Sequence, residues 1–543
     1  MSESPLPHPP SRRQFLALAL LLAALVAFFH FASGSSRSEL GSHPDEAAHF
    51  VTGLMVRDYM ASGFHQSPLR YADEYYRHYP KIGLGVWPPF FYLVQALWTL
   101  AFPVGIATVL WLMAALAFAL ALMTAWWLWR EFGDVEALAG SALLMALPLV
   151  QMYSNMVMAE VLSALLMFAA TAWFARFLEG AEWRGALGFG ICAGLAIMTK
   201  GTGLALVFVP VLALIFTRRL SLLKKPSLWV AVLLVTVIAG PWTWHFRSQG
   251  RGGWEEPNPS FRFTENAIGF YGRQMTIALG ALLAVLALVG ALSLFLPRTR
   301  KPAIAVCSLA LVLGVWLLQC LIPVGLEARH LTPAMPALVI LAFTGLDALT
   351  RCCQRARQGI TVGVLALFFG WPAIFHPVAP LPGYGSLGKT LALSPFRLPL
   401  KQWSGFGPEA DAAMAAGPRA RILIASDARG EGMFIADVAA RDPHRPAYTV
   451  ERASKILASS TWSGSGYQSL YQTPAQVRDA ITKGGIALVV TDASLPTPPP
   501  HDKLLIATVG SGGFTVVQAS TAVRDGVDFP DAIQLRSAPA GPR

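Results

Sequence analysis

Long apolar runs separated by short polar breaks dominate the first two thirds of the chain. A hydrocarbon core takes about twenty apolar residues of helix. Runs of that kind fall near 14–33, 104–129, 134–151, 157–178, 184–199, 202–217, 227–245, 274–296, 303–322, 333–350 and 360–378. They predict a polytopic α-helical membrane bundle with about eleven crossings. A further apolar stretch, Trp87 to Phe102, opens on Trp-Pro-Pro and stops at Pro103. It is short, which predicts a re-entrant or interfacial helix. Between the first run and that stretch, Ala47, Phe50, Val51, Leu54, Met55 and Tyr59 recur at helical spacing, with His49, Arg57 and Asp58 opposite. This is the pattern of an amphipathic helix lying in the membrane interface. Ser42 with Asp45 three residues on resembles a capping box, and Pro44 suits a first turn.

The pattern changes after about Ala379. Pro and Gly are frequent to about residue 418, and period-2 and buried-strand signals follow. Arg421 to Asp427 and Gly485 to Asp492 read as buried strands ending in Asp, and Leu504–Val509 with Phe514–Gln518 as a final strand pair around Gly510 to Gly513. A helical pattern covers Gln476–Thr482. The expected division is a transmembrane domain over 1–380, with a long first outer loop at 34–103, and a small α/β domain over 381–543. Asp427 and Asp492 stand where open sheets bind ligands, but a turn role is the plainer reading.

Composition agrees with the pattern. Of 543 residues, 54% are hydrophobic and 13% charged, where a soluble protein of this length carries about a quarter charged. The net charge of +11 sits in short loops, which makes it a topology signal and not a nucleic-acid one. Arg12 and Arg13, then Arg218, Arg219, Lys224 and Lys225, then Arg298, Arg300 and Lys301, and finally Arg351, Arg355 and Arg357 mark loops expected in the cytoplasm. Eleven crossings put all four groups on one side, and counting 88–102 as a crossing does not. The N-terminus is then inside, as an uncleaved signal anchor, and the C-terminal domain outside. Cys192, Cys307, Cys320, Cys352 and Cys353 show no CxxC and no zinc spacing.

This topology gathers the polar outliers on the outer face: the first loop, Glu160, Lys200, the loop 246–273 and Glu327-Ala328-Arg329-His330. Ionisable groups at or inside apolar runs are costly and point to function. The bland alternative for each is an interfacial or snorkelling charge, and for Asp45 and Glu46 simple complementation of a helix dipole. Candidate catalytic groups are Asp45, Glu46 and Glu160, and candidate phosphate-binding cations are Lys200, Arg329 and Lys81. Arg247 and Arg251 are weaker candidates. His43, His49, His65 and His78 share the first outer loop in no common metal-ligand spacing.

Several stretches resemble one family. They are Pro44-Asp45-Glu46, Trp87-Pro88-Pro89-Phe90-Phe91-Tyr92, Glu160, Thr199-Lys200-Gly201 followed by Pro210, Gly240-Pro241-Trp242 and Glu327-Ala328-Arg329-His330-Leu331-Thr332-Pro333. In this order they resemble the lipid-linked-sugar glycosyltransferases of the GT-C fold, the branch with protein O-mannosyltransferases and the lipid A aminoarabinose transferase. The resemblance spans roughly residues 10–380. It implies a sugar on a polyprenyl phosphate, transferred with inversion on the outer face to a lipid, glycan or protein acceptor. It also implies a multi-pass protein of the bacterial inner membrane, with Asp45 as base. The second acidic site is often Asp in such enzymes, where this chain has Glu160. Some relatives bind a divalent metal ion and others do not need one. A transporter or flippase for a lipid-linked glycan is the rival reading, but it calls for midplane charges and paired broken helices. A catalytically silent relative working through its outer domain is a third.

Overall fold

The computed structural model describes residues 10–251, 254–256, 258–297, 299–351, 354–375, 391–398, 401, 403–460 and 466–539. Arg298, Cys352, Cys353, the Arg355 side chain, the end of the run expected at 360–378 and the boundary expected near 380 lie outside the described residues.

Seven described helices are long and apolar enough to cross a membrane: Arg12–Ala32, Ile106–Glu131, Glu160–Gly180, Pro226–His245, Phe261–Ser293, Ala303–Leu321 and Ala328–Thr350. The run expected at 134–151 is a pair, Asp134–Ala146 and Pro148–Ser154, bent by 68°. Pro148 opens the second member because it cannot continue the first. The runs at 184–199 and 202–217 form shorter helices, Trp183–Ile197 and Gly201–Phe216. Among the described residues, seven helices meet that length and composition, or eight with the bent pair, where eleven runs were expected. The protein is a multi-pass membrane protein.

Apolar lipid gives helices no hydrophobic reason to associate, so close packing holds them together. At the crossing of Phe261–Ser293 with Met335–Thr350, a Cβ on Gly290 would stand 1.9 Å from the Leu341 carbonyl oxygen. One on Gly345 would stand 2.0 Å from that of Leu286. The first of these helices breaks at Gly280, whose φ is +71°. The amides freed there, Ala281 and Leu282, donate to the carbonyls of Ala392 and Leu393 at 2.8 and 3.2 Å.

The basic loops collect at one end of the bundle. Arg300 pairs with Glu131 at 2.5 Å, Arg357 with Glu136 at 2.8 Å and with Asp347 at 3.3 Å, and Arg130 with Glu179 at 2.7 Å. Helix Glu160–Gly180 carries Glu179 at its end and Glu160 at its start. Those two acids are thus about 30 Å apart at 1.5 Å per residue.

The helix expected to lie in the interface is instead enclosed. In Glu46–Ala61 the apolar face is buried, and so are His49 and Asp58 on the face read as polar. One side rests on Phe90–Ala101, where Gln95 donates to the Phe50 carbonyl at 2.8 Å. The other meets helix Ala428–Arg441 of the C-terminal domain, where Ala47 faces Gly432. Phe90–Ala101 has twelve residues, too few to span. The expected Ser42–Asp45 capping box is also corrected. Glu46 is the group that reaches back, accepting the Ser42 N–H at 3.1 Å, and Asp45 makes no side-chain cap.

The C-terminal domain is α/β. Its strands are β1 (Trp403–Ser404), β2 (Arg421–Ala425), β3 (Thr449–Arg452), β4 (Ala458–Ser459), β5 (Gln468–Ser469), β6 (Ile486–Asp492), β7 (Thr515–Arg524) and β8 (Val527–Ser537). The main sheet runs β1-β7-β8-β6-β2-β3, with β2 parallel to both β3 and β6 and the other pairs antiparallel. The strand expected at Leu504–Val509 is a helix, Pro500–Gly510. Leu505 and Val509 are buried one turn apart, and Pro500 sits in the first turn. The true hairpin is β7–β8, around Asp525 and Gly526, both at positive φ. Asp427 caps helix Ala428–Arg441, and Asp492 binds Ser426, Ser494 and Arg524.

The first loop grips this domain. Glu39 accepts the N–H groups of Phe406 and Gly407, and Asp58 binds Arg445 at 2.9 Å and the Tyr75 hydroxyl at 3.0 Å. Tyr79 donates to Asp442 at 2.5 Å.

The Gly290–Gly345 approach yields a direct test. A Gly345→Leu variant is expected to be destabilised by about 3 kcal/mol or more, because the obstacle is backbone and cannot rotate away. The measurement is thermal unfolding in detergent beside Gly359→Leu, where the site is open.

Candidate active site

Four segments bring their ends together above the bundle. Asp45 precedes the first turn of Glu46–Ala61, Glu160 opens Glu160–Gly180, Lys200 precedes the 3-10 turn Gly201–Val207, and Arg329 lies in the 3-10 turn Ala328–Ala334. A guanidinium away from bulk water needs matching carboxylates, and Arg329 has three. Its Nη1 lies 3.1 Å from Asp45 Oδ2, its Nε 2.6 Å from Glu327 Oε2 and 3.8 Å from Glu160 Oε1. Lys200 Nζ donates to Glu160 Oε1 at 2.5 Å.

Exposure separates the acids. The Asp45 side chain is 18% exposed and that of Glu160 is 1% exposed. Asp45 is therefore partly open to solvent, while Glu160 is sealed as counter-charge to two cations. His43 packs beside them, with Nδ1 2.9 Å from the Asp45 amide nitrogen and Nε2 3.1 Å from Arg329 Nη1. Burial, reinforced by the Arg329 charge, holds the His43 pKa well below its usual value and the ring neutral.

Lys81 reaches the same turn from the loop after Pro68–His78. Its ammonium donates to the carbonyls of Ala428 at 3.0 Å and Pro44 at 3.4 Å. Burial pushes its pKa down to about 8. Glu46 behaves otherwise. Its carboxylate is wholly buried and accepts from Ser42 N–H, Val157 N–H and Lys401 Nζ. That enclosure removes it from the groups able to touch a substrate. Arg247 and Arg251 stay on the exterior, stacked on Trp244 and Trp254.

Sequence reading missed His49 as part of this site. It sits one helical turn after Asp45, is buried, lies 2.9 Å from the Tyr92 hydroxyl and stacks on Trp87 at 4.5 Å. Burial lowers its pKa to about 4. The i, i+4 spacing from Asp45 was the available signal. His78 binds the Tyr448 carbonyl, and His65 is exposed. Among the described residues no three His, Cys, Asp or Glu side chains converge as a metal site. Asp45 and Glu160 are turned to Arg329 and Lys200.

Comparison with solved structures places this architecture. ArnT from Cupriavidus metallidurans bound to undecaprenyl phosphate matches with a TM-score of 0.54 over 96% of this chain and 99% of that one, at 16% identity. The chain has the GT-C fold. The apo state of the same ArnT gives a GT-C match with a TM-score of 0.51 at 16% identity, over 96% and 99% of the two chains. The apo oligosaccharyltransferase of Archaeoglobus fulgidus gives 0.52 at 11% identity, covering 89% of this chain and 70% of that one. Residues 86–245 match the model of the dolichyl-phosphate-mannose-protein mannosyltransferase family. No curated protein matches the sequence.

The charge balance at Glu160 can be tested. Glu160→Gln leaves Lys200 without its partner, and a loss of about 3 kcal/mol is expected in thermal unfolding. Glu160→Gln with Lys200→Met should be less than additive. Full additivity would show that the pair is not coupled.

Proposed function

We propose that the protein is an inverting glycosyltransferase that moves a sugar from a polyprenyl phosphate to an acceptor hydroxyl on the outer face of a bacterial inner membrane. The observation that carries the reading is the partly exposed Asp45 carboxylate fixed by Arg329 with Lys200 and Lys81 close by. The GT-C fold and the undecaprenyl phosphate in the ArnT structure support the donor class. The clustered basic loops at the opposite end of the bundle support a cytoplasmic N-terminus and an outer site.

In this mechanism Asp45 accepts the proton of the acceptor hydroxyl. The acceptor oxygen bonds to the anomeric carbon as the bond from that carbon to the phosphate oxygen breaks, and the electron pair leaves with the lipid phosphate. A phosphate monoester has its second pKa near ~6, so it departs without a proton donor, and one carboxylate suffices. Charge grows on the phosphate as it leaves, and Arg329, Lys200 and Lys81 stabilise it. Glu160 keeps Lys200 and Arg329 aimed. No step needs a metal ion, since the fixed cations supply the positive charge. The sugar is a hexosyl or pentosyl group, and the acceptor is a lipid, glycan or protein.

Transfer by purified protein in nanodiscs, with a panel of polyprenyl-phosphate sugars, tests this reading. Asp45→Asn is expected to lower turnover by roughly a thousandfold with unfolding unchanged, and a chelator to leave wild type unaffected. Near-normal turnover in that variant would sink the assignment, and tight donor binding without transfer would favour transport of the lipid-linked sugar.

Lys81 gives the pH signature. With its pKa lowered to about 8, Lys81 is charged below that pH and neutral above it. Donor KM is expected to rise as pH passes through about 8, and Lys81→Arg to flatten the rise. A flat wild-type profile would remove Lys81 from the phosphate site.

A further inference from the structure

The chain returns from the bundle to the C-terminal domain through a strap, described at 391–398 and 401, in which Ser394 and Lys401 are buried. One end is pinned at the broken helix, where the Ala392 and Leu393 carbonyls take the amides freed at Gly280 and Pro395 fills the space beside it. Midway, Ser394 donates to the Phe368 carbonyl at 2.5 Å, and Phe396 packs on Phe29. At the other end the Lys401 N–H donates to the Ser33 carbonyl at 2.6 Å, and the Lys401 carbonyl accepts from the Ser38 hydroxyl.

The Lys401 side chain then crosses to Glu46, Nζ to Oε1 at 2.5 Å, with both side chains 2% exposed or less. Glu46 directly follows Asp45. Its carboxylate also holds the Ser42 amide, before Asp45, and the Val157 amide, three residues before Glu160. One buried anion thus fixes both ends of the turn that carries Asp45 and sets it against the segment that carries Glu160. A buried carboxylate keeps its charge only while a cation matches it, and here that cation comes from the strap.

We propose that Lys401 is a positioning residue for Asp45, so that the C-terminal domain holds the base in place through its strap. This rests on Asp45 acting as base. Lys401 touches no substrate in this scheme and acts through Glu46 alone. Loss of the ammonium from this pair frees the Glu46 carboxylate from its anchor, and the Asp45 turn drifts with it. Displacement of about 1 Å at a reacting group can cost a hundredfold in rate.

The experiment uses full-length protein in nanodiscs and a donor that wild type turns over. Lys401→Met is expected to lower kcat about a hundredfold while donor KM stays near wild type. Glu46→Gln should lower kcat similarly, and the double variant, which also lacks the tie, should lose about as much as either single one and not the product of the two. A near-wild-type kcat in Lys401→Met, or losses that multiply in the double variant, would overturn the proposal. Hydrogen exchange of peptides covering 42–50 and 155–160 gives a reading independent of turnover. It should quicken in Lys401→Met, and unchanged exchange would overturn the tie. A silent wild type would mark failure of the glycosyltransferase reading instead, with exchange still reporting on the strap. Should Lys401→Met fail to fold, the charge-neutral double variant supplies the kcat and exchange comparison, and wild-type values in both would overturn the proposal.

Discussion

Everything at the candidate site depends on how ionised groups are kept away from bulk water. Arg329 is the centre of that arrangement. Its guanidinium has a fixed fork of donors, and three carboxylates from three separate segments meet it. None of those acids could stand there alone at low cost. Asp45 is held because Arg329 faces it, and Arg329 is tolerated because Glu160 and Glu327 surround its other edge. Lys200 adds a second positive charge, which Glu160 binds more closely than it binds Arg329. The geometry leaves Asp45 with the weakest hold on the cations and the most open position among Asp45 and Glu160. Asp45 is thus held against a cation without being locked away.

The same rule explains why two adjacent acids do different work. Asp45 and Glu46 differ by one methylene and one position. The helix begins at Glu46, so that side chain turns back to the Ser42 amide and inward to Lys401, while Asp45 stays partly exposed beside Arg329. A conventional capping box at Ser42 and Asp45 would have consumed the Asp45 carboxylate on its own backbone. Shifting the cap by one residue leaves the Asp45 carboxylate free of the cap and commits Glu46 to structure.

Much of this was legible in the sequence, for reasons that differ by element. Runs such as 157–178 and 303–322 are long, apolar and bounded by polar residues, so their helices follow from length alone. The four chemical groups Asp45, Glu160, Lys200 and Arg329 stood out because each interrupts or borders such a run. Burial of Glu46–Ala61 was not legible. Its apolar face predicts a helix against something apolar, and sequence does not distinguish a lipid interface from a protein domain that arrives nearly four hundred residues later. Leu504–Val509 failed for a different reason. Six apolar-rich residues satisfy both periods, and Pro500 together with the Asp525-Gly526 turn decides between them. Glu46 and Lys401 could not be paired from sequence, because their contact joins residues 355 positions apart.

The joint between the two domains carries the physical consequence of that long-range contact. Glu39, Asp58, Tyr79 and Glu46 all come from the first loop, and all are satisfied by groups at or beyond residue 401. Without those partners Glu46 would lose its Lys401 cation, and Asp58 would be left with Arg57 and the Tyr75 hydroxyl. The C-terminal domain supplies this loop with hydrogen bonds and charge that lipid tails do not offer. The strap's other end lies in the break at Gly280, so one short length of chain contacts both the helix interruption within the bundle and the turn that carries Asp45.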